Sequence, residues 1–308
     1  MKPLLIILAI LIAGCNTAPT DITATFTPTS YLAEQLTQNT SLTIQQIVPP
    51  NTDPHTYTLK PSDAAALNTA KLHVGVGEGI EPFTMPSNSV LLNKVLETEH
   101  HEEEHNGSEQ PTEHRAYEQH EEYEQHEEVE TESREHAHNH EHGFDPHTWL
   151  NPQAMIEALP SVAQAIQNNT DIDDETLQQN LERTREELNA LHTTYTEGLR
   201  TCQQRNIVVT HNAYTHLADT YNLTVTPLQG LSPHQEPTPG DIQRLIDTVR
   251  QENITTIFHE TQLPERHTES IASQTNATIQ TITPALGPSY QEAMLQNLQA
   301  LRTGLRCE

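Results

Sequence analysis

Positive charge is scarce in this sequence. Fifteen Lys and Arg stand against 43 Asp and Glu, a formal net charge of −28 at pH 7 over 308 residues. Nucleic acid is bound through cations that displace its counterions, so this balance excludes a nucleic-acid partner. Cysteine is scarce too. Three residues, Cys15, Cys202 and Cys307, are too few for a Cys-rich metal site. Aromatic residues make up 4 % of the chain, with one tryptophan, Trp149. The N-terminal apolar run, Leu4 to Ile12, falls well short of the roughly 20 residues that a membrane-spanning helix needs.

That run instead has the build of a secretory signal: Lys2, an apolar centre, then small residues. Ile12-Ala13-Gly14-Cys15 looks like a bacterial lipoprotein cleavage box, so residues 1–15 are expected to be a signal peptide with Cys15 as the lipidated residue. Export to an oxidising compartment makes Cys202 and Cys307 the natural disulfide. It closes a loop of about 100 residues, worth on the order of 4 kcal/mol on the loop-entropy model.

The length allows one large or two ordinary domains. From Asp21 onward, DITATFTPT, SLTIQQIV, KLHVGVG and NSVLLN read as short strands, with YLAEQLTQ and SDAAALNTA as helices between them, the second capped by Ser62. A second set follows: strands NIVVTH, LTVTPLQG, TTIFHE and TIQTITPAL, interleaved with helices AYTHLADTY, GDIQRLIDTVRQEN, ERHTESIASQ and SYQEAMLQNLQALRTGL. Such alternation predicts an α/β fold of two lobes, each a parallel-rich sheet flanked by helices, over residues 21–170 and 205–308. Between them Leu177, Leu181, Leu188, Leu191, Tyr195 and Leu199 form one helical stripe. A linking helix over 173–201, capped by Asp173 or Asp174, is about 40 Å long, enough to run the length of both lobes.

Much of the negative charge is local. Residues 97–143 hold 17 of the 43 acidic residues and 10 of the 19 histidines, with almost no large apolar residue to offset the entropy of ordering. This stretch reads as a disordered His/Glu-rich insertion in the first lobe. His101-Glu102-Glu103-Glu104-His105 formally matches the H-E-x-x-H metalloprotease motif, but it lacks the apolar helix face that the motif requires and is a chance product of biased composition.

Two phrases repeat: Asp53-Pro54-His55-Thr56-Tyr57 and Asp145-Pro146-His147-Thr148-Trp149. In each, proline fixes the backbone before the histidine, the aspartate can accept hydrogen bonds from the turn, and the aromatic packs the turn down. The imidazole is thereby presented rigidly, as a metal ligand needs. A third candidate is His211, which ends the apolar run Ile207-Val208-Val209-Thr210, because ligands in open parallel sheets sit at the carboxyl ends of strands. His216 reads as structural or solvent-facing, His73 as core or sheet edge, and His192 and His267 as lying on solvated helices.

DPHTYTLKPSDAAAL, GFDPHTWLNP, VVTHNAYTHLADTYNL, GLSPHQEPTPGDIQRL and IFHETQL occur in the order seen in the solute-binding proteins of bacterial metal ABC importers. Over about residues 21–300 the chain resembles their zinc-binding subgroup, including the His/acid-rich insertion before the second D-P-H. The resemblance implies two lobes joined by one long helix, with the metal in the cleft between them. It implies His55, His147 and His211 as metal ligands, and a lipid-anchored monomer in the cell envelope or periplasm that delivers Zn²⁺ to a membrane permease. Manganese-type relatives place a glutamate where His211 stands and an aspartate late in the second lobe. Here Thr283-Pro284-Ala285-Leu286-Gly287 carries no carboxylate, so the fourth ligand is Glu260, His259 or water.

Three neutral imidazoles with at most one oxygen suit tetrahedral Zn²⁺, whereas Mn²⁺ favours more oxygen. Protons should compete for such a site near pH 6.5, the range of an ordinary histidine. In the insertion, His100, His101, His105, His114, His120, His126, His136, His138, His140 and His142 offer weak auxiliary sites, since a flexible chain loses entropy when it wraps an ion. Three other roles fit the same residues: a zinc-storage or adhesin-type surface lipoprotein, a manganese-binding relative, and a zinc-dependent hydrolase with Glu260 as the candidate base.

Overall fold

The computed structural model describes residues 20–97, 145–231, 236–261, 263–284 and 287–308. The signal segment with Cys15 and the ten insertion histidines lie outside the described residues. Glu97, the expected start of the insertion, instead ends a helical turn over 92–97.

Two four-stranded parallel sheets form the frame. In the first, β1 (Ile22–Ala24), β2 (Ile44–Gln46), β3 (Leu72–Gly75) and β4 (Ser89–Leu91) run in the order β2-β1-β3-β4. In the second, β5 (Asn206–His211), β6 (Thr224–Gln229), β7 (Thr256–Glu260) and β8 (Thr278–Ile282) run in the order β6-β5-β7-β8. Pro227 is tolerated because β6 is an edge strand. In both sheets the strand order reverses beside the first strand, and ligand crevices open outside the carboxyl ends of strands at such a reversal.

The helices mostly fall where expected, with shifted ends. Helix α1 (Thr27–Leu36) starts four residues before Tyr31, because Pro28 favours a first helical turn and the Thr29 hydroxyl accepts from Phe26 N. Helix α2 (Pro61–Thr69) is capped at Lys60 and not at Ser62. Pro61 opens it, and the Asp63 carboxylate accepts from Lys60 N. Helix α3 (Pro152–Asn169) is an addition to the expected set. Its N-cap is Asn151, and it buries Met155, Leu159, Val162 and Ile166 despite Pro160 in its interior.

Helix α4 (Asp174–Leu199) is the spine, capped by Asp173, whose side chain accepts from Thr176 N. All six residues of the expected stripe are buried. Asn180 and Thr184 lie on the same buried face, and Asn180 Nδ2 donates to the carbonyls of Leu36 and Gln38, closing the end of α1. Helices α5 (Thr215–Thr220), α6 (Pro239–Gln251), α7 (Arg266–Thr275) and α8 (Tyr290–Leu305) complete the second lobe.

One continuous apolar core runs from Ile22 and Leu32 in the first lobe through Leu188 and Tyr195 of the spine to Phe258 and Leu301 in the second. A smaller core under Val208, Ile246 and Ile257 packs the other face of the second sheet. Cys202 and Cys307 form the disulfide, tying the end of the spine to the end of α8 across 105 residues. Glycine is sparse, and five left-handed turns are taken by Asn39, Asn51, Asn222, Asn253 and Asn276, the side chain that tolerates this region best after glycine. Among the described residues no helix is long and apolar enough to cross a membrane.

Candidate metal centre

The two D-P-H phrases fold alike at their turns. Asp53 Oδ1 accepts from His55 N at 2.9 Å, and Asp145 Oδ1 accepts from His147 N at 3.0 Å. Each turn opens or abuts a single turn of 3-10 helix, Pro54–Thr56 and Thr148–Leu150. The aromatics pin them: Tyr57 Oη donates to Asp63 Oδ2 at 2.7 Å, and Trp149 is buried with its Nε1 donating to Pro284 O at 3.0 Å. His211 is the last residue of β5, at the strand reversal of the second sheet.

These three histidines converge. One ring nitrogen from each of His55, His147 and His211 lies within 4.8 Å of the others. The Nε2 atoms of His55 and His147 are 3.3 Å apart. Two nitrogens bound at about 2.0–2.1 Å to one tetrahedral ion sit about 3.3 Å apart by geometry alone.

The outer nitrogens fix the tautomers. His147 Nδ1 lies 2.8 Å from Asp145 Oδ1, and His211 Nδ1 lies 2.6 Å from Glu260 Oε1. A carboxylate at Nδ1 requires the proton there and leaves Nε2 as a lone pair. His55 makes its own hydrogen bond to the Gly79 backbone. The Nε2 atoms of His147 and His211 are thereby left to face His55 across the cluster. His211 Nε2 is buried and makes no hydrogen bond. A buried polar atom left so costs about 1–3 kcal/mol, a cost that a bound cation would remove.

Burial tunes the same groups. It pushes the His55 imidazole down to about 4, with repulsion from His147 adding to the shift. It also holds His147 below the ordinary range, against the pull of Asp145. Burial opposes ionisation of Asp145, but the bond to His147 prevails and keeps its carboxyl low. At His55, proton competition therefore sets in well below the pH of 6.5 expected from an isolated ring.

Glu260 closes β7, directly beside β5, and both of its oxygens approach His211 Nδ1. It stands behind a ligand candidate and outside the three-histidine cluster. His259 points elsewhere, its Nδ1 at 3.2 Å from the Thr268 hydroxyl. His73 is core, between the hydroxyls of Thr23 and Thr25. His216 bridges the lobes, its Nε2 at 2.8 Å from Asp145 O. His192 meets Tyr221 Oη, and His267 meets Glu236. A polar cavity of about 280 Å³ beside α1 and the first turn of α8, lined by Tyr31, Glu34, Gln46 and Gln291 among others, holds none of the three histidines.

The chain matches known proteins at two levels. The model of the zinc-uptake complex component A family, periplasmic, matches residues 22–304. The chain belongs to this family. The zinc-binding lipoprotein AdcA of Streptococcus pneumoniae is 24% identical over 304 residues, 92% of this chain and 55% of that protein. The high-affinity zinc uptake system protein ZnuA of Bacillus subtilis is 28% identical over 171 residues, 52% of this chain and 53% of that protein. The chain thus spans about half the length of these curated relatives. Among solved structures, the periplasmic zinc-binding protein TroA from Treponema pallidum superposes with a TM-score of 0.71 at 17% identity, over 93% of this chain and 99% of that one. A ZnuA crystal structure gives a TM-score of 0.65 at 23% identity, over 91% and 98%. These neighbours share the fold of this family member: two parallel-sheet lobes flanked by helices.

Proposed function

We propose that this protein is the extracytoplasmic zinc-binding component of an ABC-type uptake system, capturing Zn²⁺ between its lobes and delivering it to a membrane permease. The ligands are His55, His147 and His211 through Nε2, and water fills the fourth tetrahedral position. Glu260, a further candidate for that position beside His259, serves His211 from behind. The observation that supports this reading is the convergence of ring nitrogens from the three histidines, two of them 3.3 Å apart, with His211 Nε2 buried and unpartnered. Manganese suits the site poorly, because three neutral nitrogens give a harder ion little oxygen. The expected lipid anchor at Cys15 would hold the protein at a membrane near its permease.

A zinc titration of the lipid-free protein, followed by Trp149 emission with Mn²⁺ as competitor, tests the site. The Trp149 ring centroid lies 5.1 Å from that of His147. The expected result is one tight zinc site that Mn²⁺ fails to displace, and that the His55, His147 and His211 alanine variants each weaken. Unchanged titrations in those variants would overturn the ligand set. Zinc uptake by cells lacking the protein tests the transport role. Unchanged uptake with altered zinc storage or surface adhesion would replace that role and leave the site intact.

A further inference from the structure

The three histidines are not held alike. His211 ends a central strand, is 2% exposed, and is backed by Glu260. His147 is 1% exposed and backed by Asp145. Its segment precedes the spine in sequence, yet four hydrogen bonds fasten it to the second lobe. His216 Nε2 meets Asp145 O at 2.8 Å, and Trp149 Nε1 donates to Pro284 O at 3.0 Å. Tyr290 Oη donates to Trp149 O at 2.9 Å, and Asn151 Nδ2 donates to Thr220 Oγ1 at 2.8 Å. The two made by Trp149 are buried, where such bonds are costly to break. From the first lobe, Thr148 Oγ1 donates to Asn93 Oδ1 at 3.1 Å and the Trp149 ring meets Phe26 edge-on, so the His147 turn is clamped from both sides and its place beside His211 is fixed.

His55 differs on each count. It sits in a single 3-10 turn between loops of the first lobe and is partly exposed. Its ring bonds the Gly79 backbone and lies near the charge of Asp53 in its own turn, whereas Asp145 and Glu260 bond the other two rings directly. A carboxylate bonded directly to an imidazole fixes its orientation and raises its basicity as a ligand.

We propose that His147 and His211 form a fixed two-imidazole platform that receives the ion first, and that His55 is the swinging ligand, last to bind and first to leave. The proposal rests on the three-histidine reading above. A platform-bound ion keeps water at its two remaining positions; His55 then displaces one water, and release runs in reverse. Tyr290, Trp149 and His216 are positioning residues of the platform, because they hold the His147 turn against the lobe that carries His211.

Stopped-flow mixing of the full chain in detergent with zinc alone, read by Trp149 emission, tests the order, and release is timed by mixing with excess chelator. His55→Ala should keep the second-order capture constant within about 2-fold while speeding release at least about 100-fold, the upper end of what loss of outer-shell support alone costs. His147→Ala and His211→Ala should slow capture itself. His55→Ala slowing capture as much as those variants would overturn the proposal. All three variants leaving capture and release unchanged would instead overturn the ligand set on which it rests. Tyr290→Phe, which keeps the ring, gives an independent arm: its effect on affinity should multiply with that of His55→Ala in a double-mutant cycle. If the Tyr290→Phe effect disappears in the His55→Ala background, the clasp serves His55 and the proposal fails.

Discussion

At the scale of single residues, the proposed metal site depends on keeping its ring nitrogens available for an ion while they are crowded together. Burial does this at His55, pushed down to about 4. With the folded-state value lowered, the ring stays neutral, and so able to bind a metal, at any pH well above 4. Its contribution, read as the ratio of wild-type to His55→Ala zinc affinity, should stay constant from pH 7.5 to about 5 and collapse as pH falls through about 4. Competition titrations with chelators across that range check it; a ratio already falling at pH 6.5 would mean that the ring is not desolvated. Glu260 makes a separate prediction. As the partner of His211 Nδ1, its replacement in Glu260→Gln should weaken zinc by about 10–100-fold while the bound ion keeps three imidazole ligands by X-ray absorption. The three histidines are legible in the sequence because each is announced locally, twice by Asp-Pro and once by an apolar run that ends in His. The role of Glu260 is not, since it requires knowing that β7 lies directly beside β5 and ends level with it.

At the scale of elements, the spine stripe is legible because six apolar residues at helical spacing have no competing signal. Helix α3 is not. It shares the same spacing, but Pro160 reads as a helix breaker, and in the protein its cost is outweighed by the burial of Met155, Leu159, Val162 and Ile166. Strand ends blur in a similar way: Thr27-Pro28-Thr29 has strand composition, yet it opens α1. Among the glycines of the second lobe, the closest approach to another element lies at Gly304 in the last turn of α8. A Cβ there would sit 2.5 Å from Phe258 Cζ and 2.8 Å from Thr256 Cγ2, both on β7. Gly304→Ala gains up to about 1 kcal/mol of helix propensity but overpacks a rigid strand at about 1–3 kcal/mol. A net loss of stability is expected, visible as a lower urea midpoint with an unchanged slope. A higher midpoint would show that α8 can shift away from β7 at little cost.

At the scale of the whole molecule, two lobes, a spine and a cleft follow from strand–helix alternation, whereas the fastening of residues 145–151 to the second lobe does not, because it joins parts about 70 and 140 residues apart. The disulfide poses the corresponding question of stability. Cys202 precedes β5 and Cys307 follows α8, so the bond encloses the second lobe at the amino ends of its strands. His211 stands at the carboxyl end of the six-residue β5, roughly 17 Å along the strand. Stability and zinc binding should therefore separate. Replacing both cysteines with serine frees a loop of 105 residues in the unfolded chain and should cost about 2–5 kcal/mol in denaturant unfolding. Zinc at 100 times its dissociation constant adds about 2.7 kcal/mol to a protein that binds it only when folded. That increment should be the same with and without the disulfide, because sites far apart with no shared partners are additive. If the zinc increment shrinks when the cysteines are replaced, the second lobe does not hold its shape without the bond, and the platform for the ion depends on the disulfide as well as on the packing between lobes.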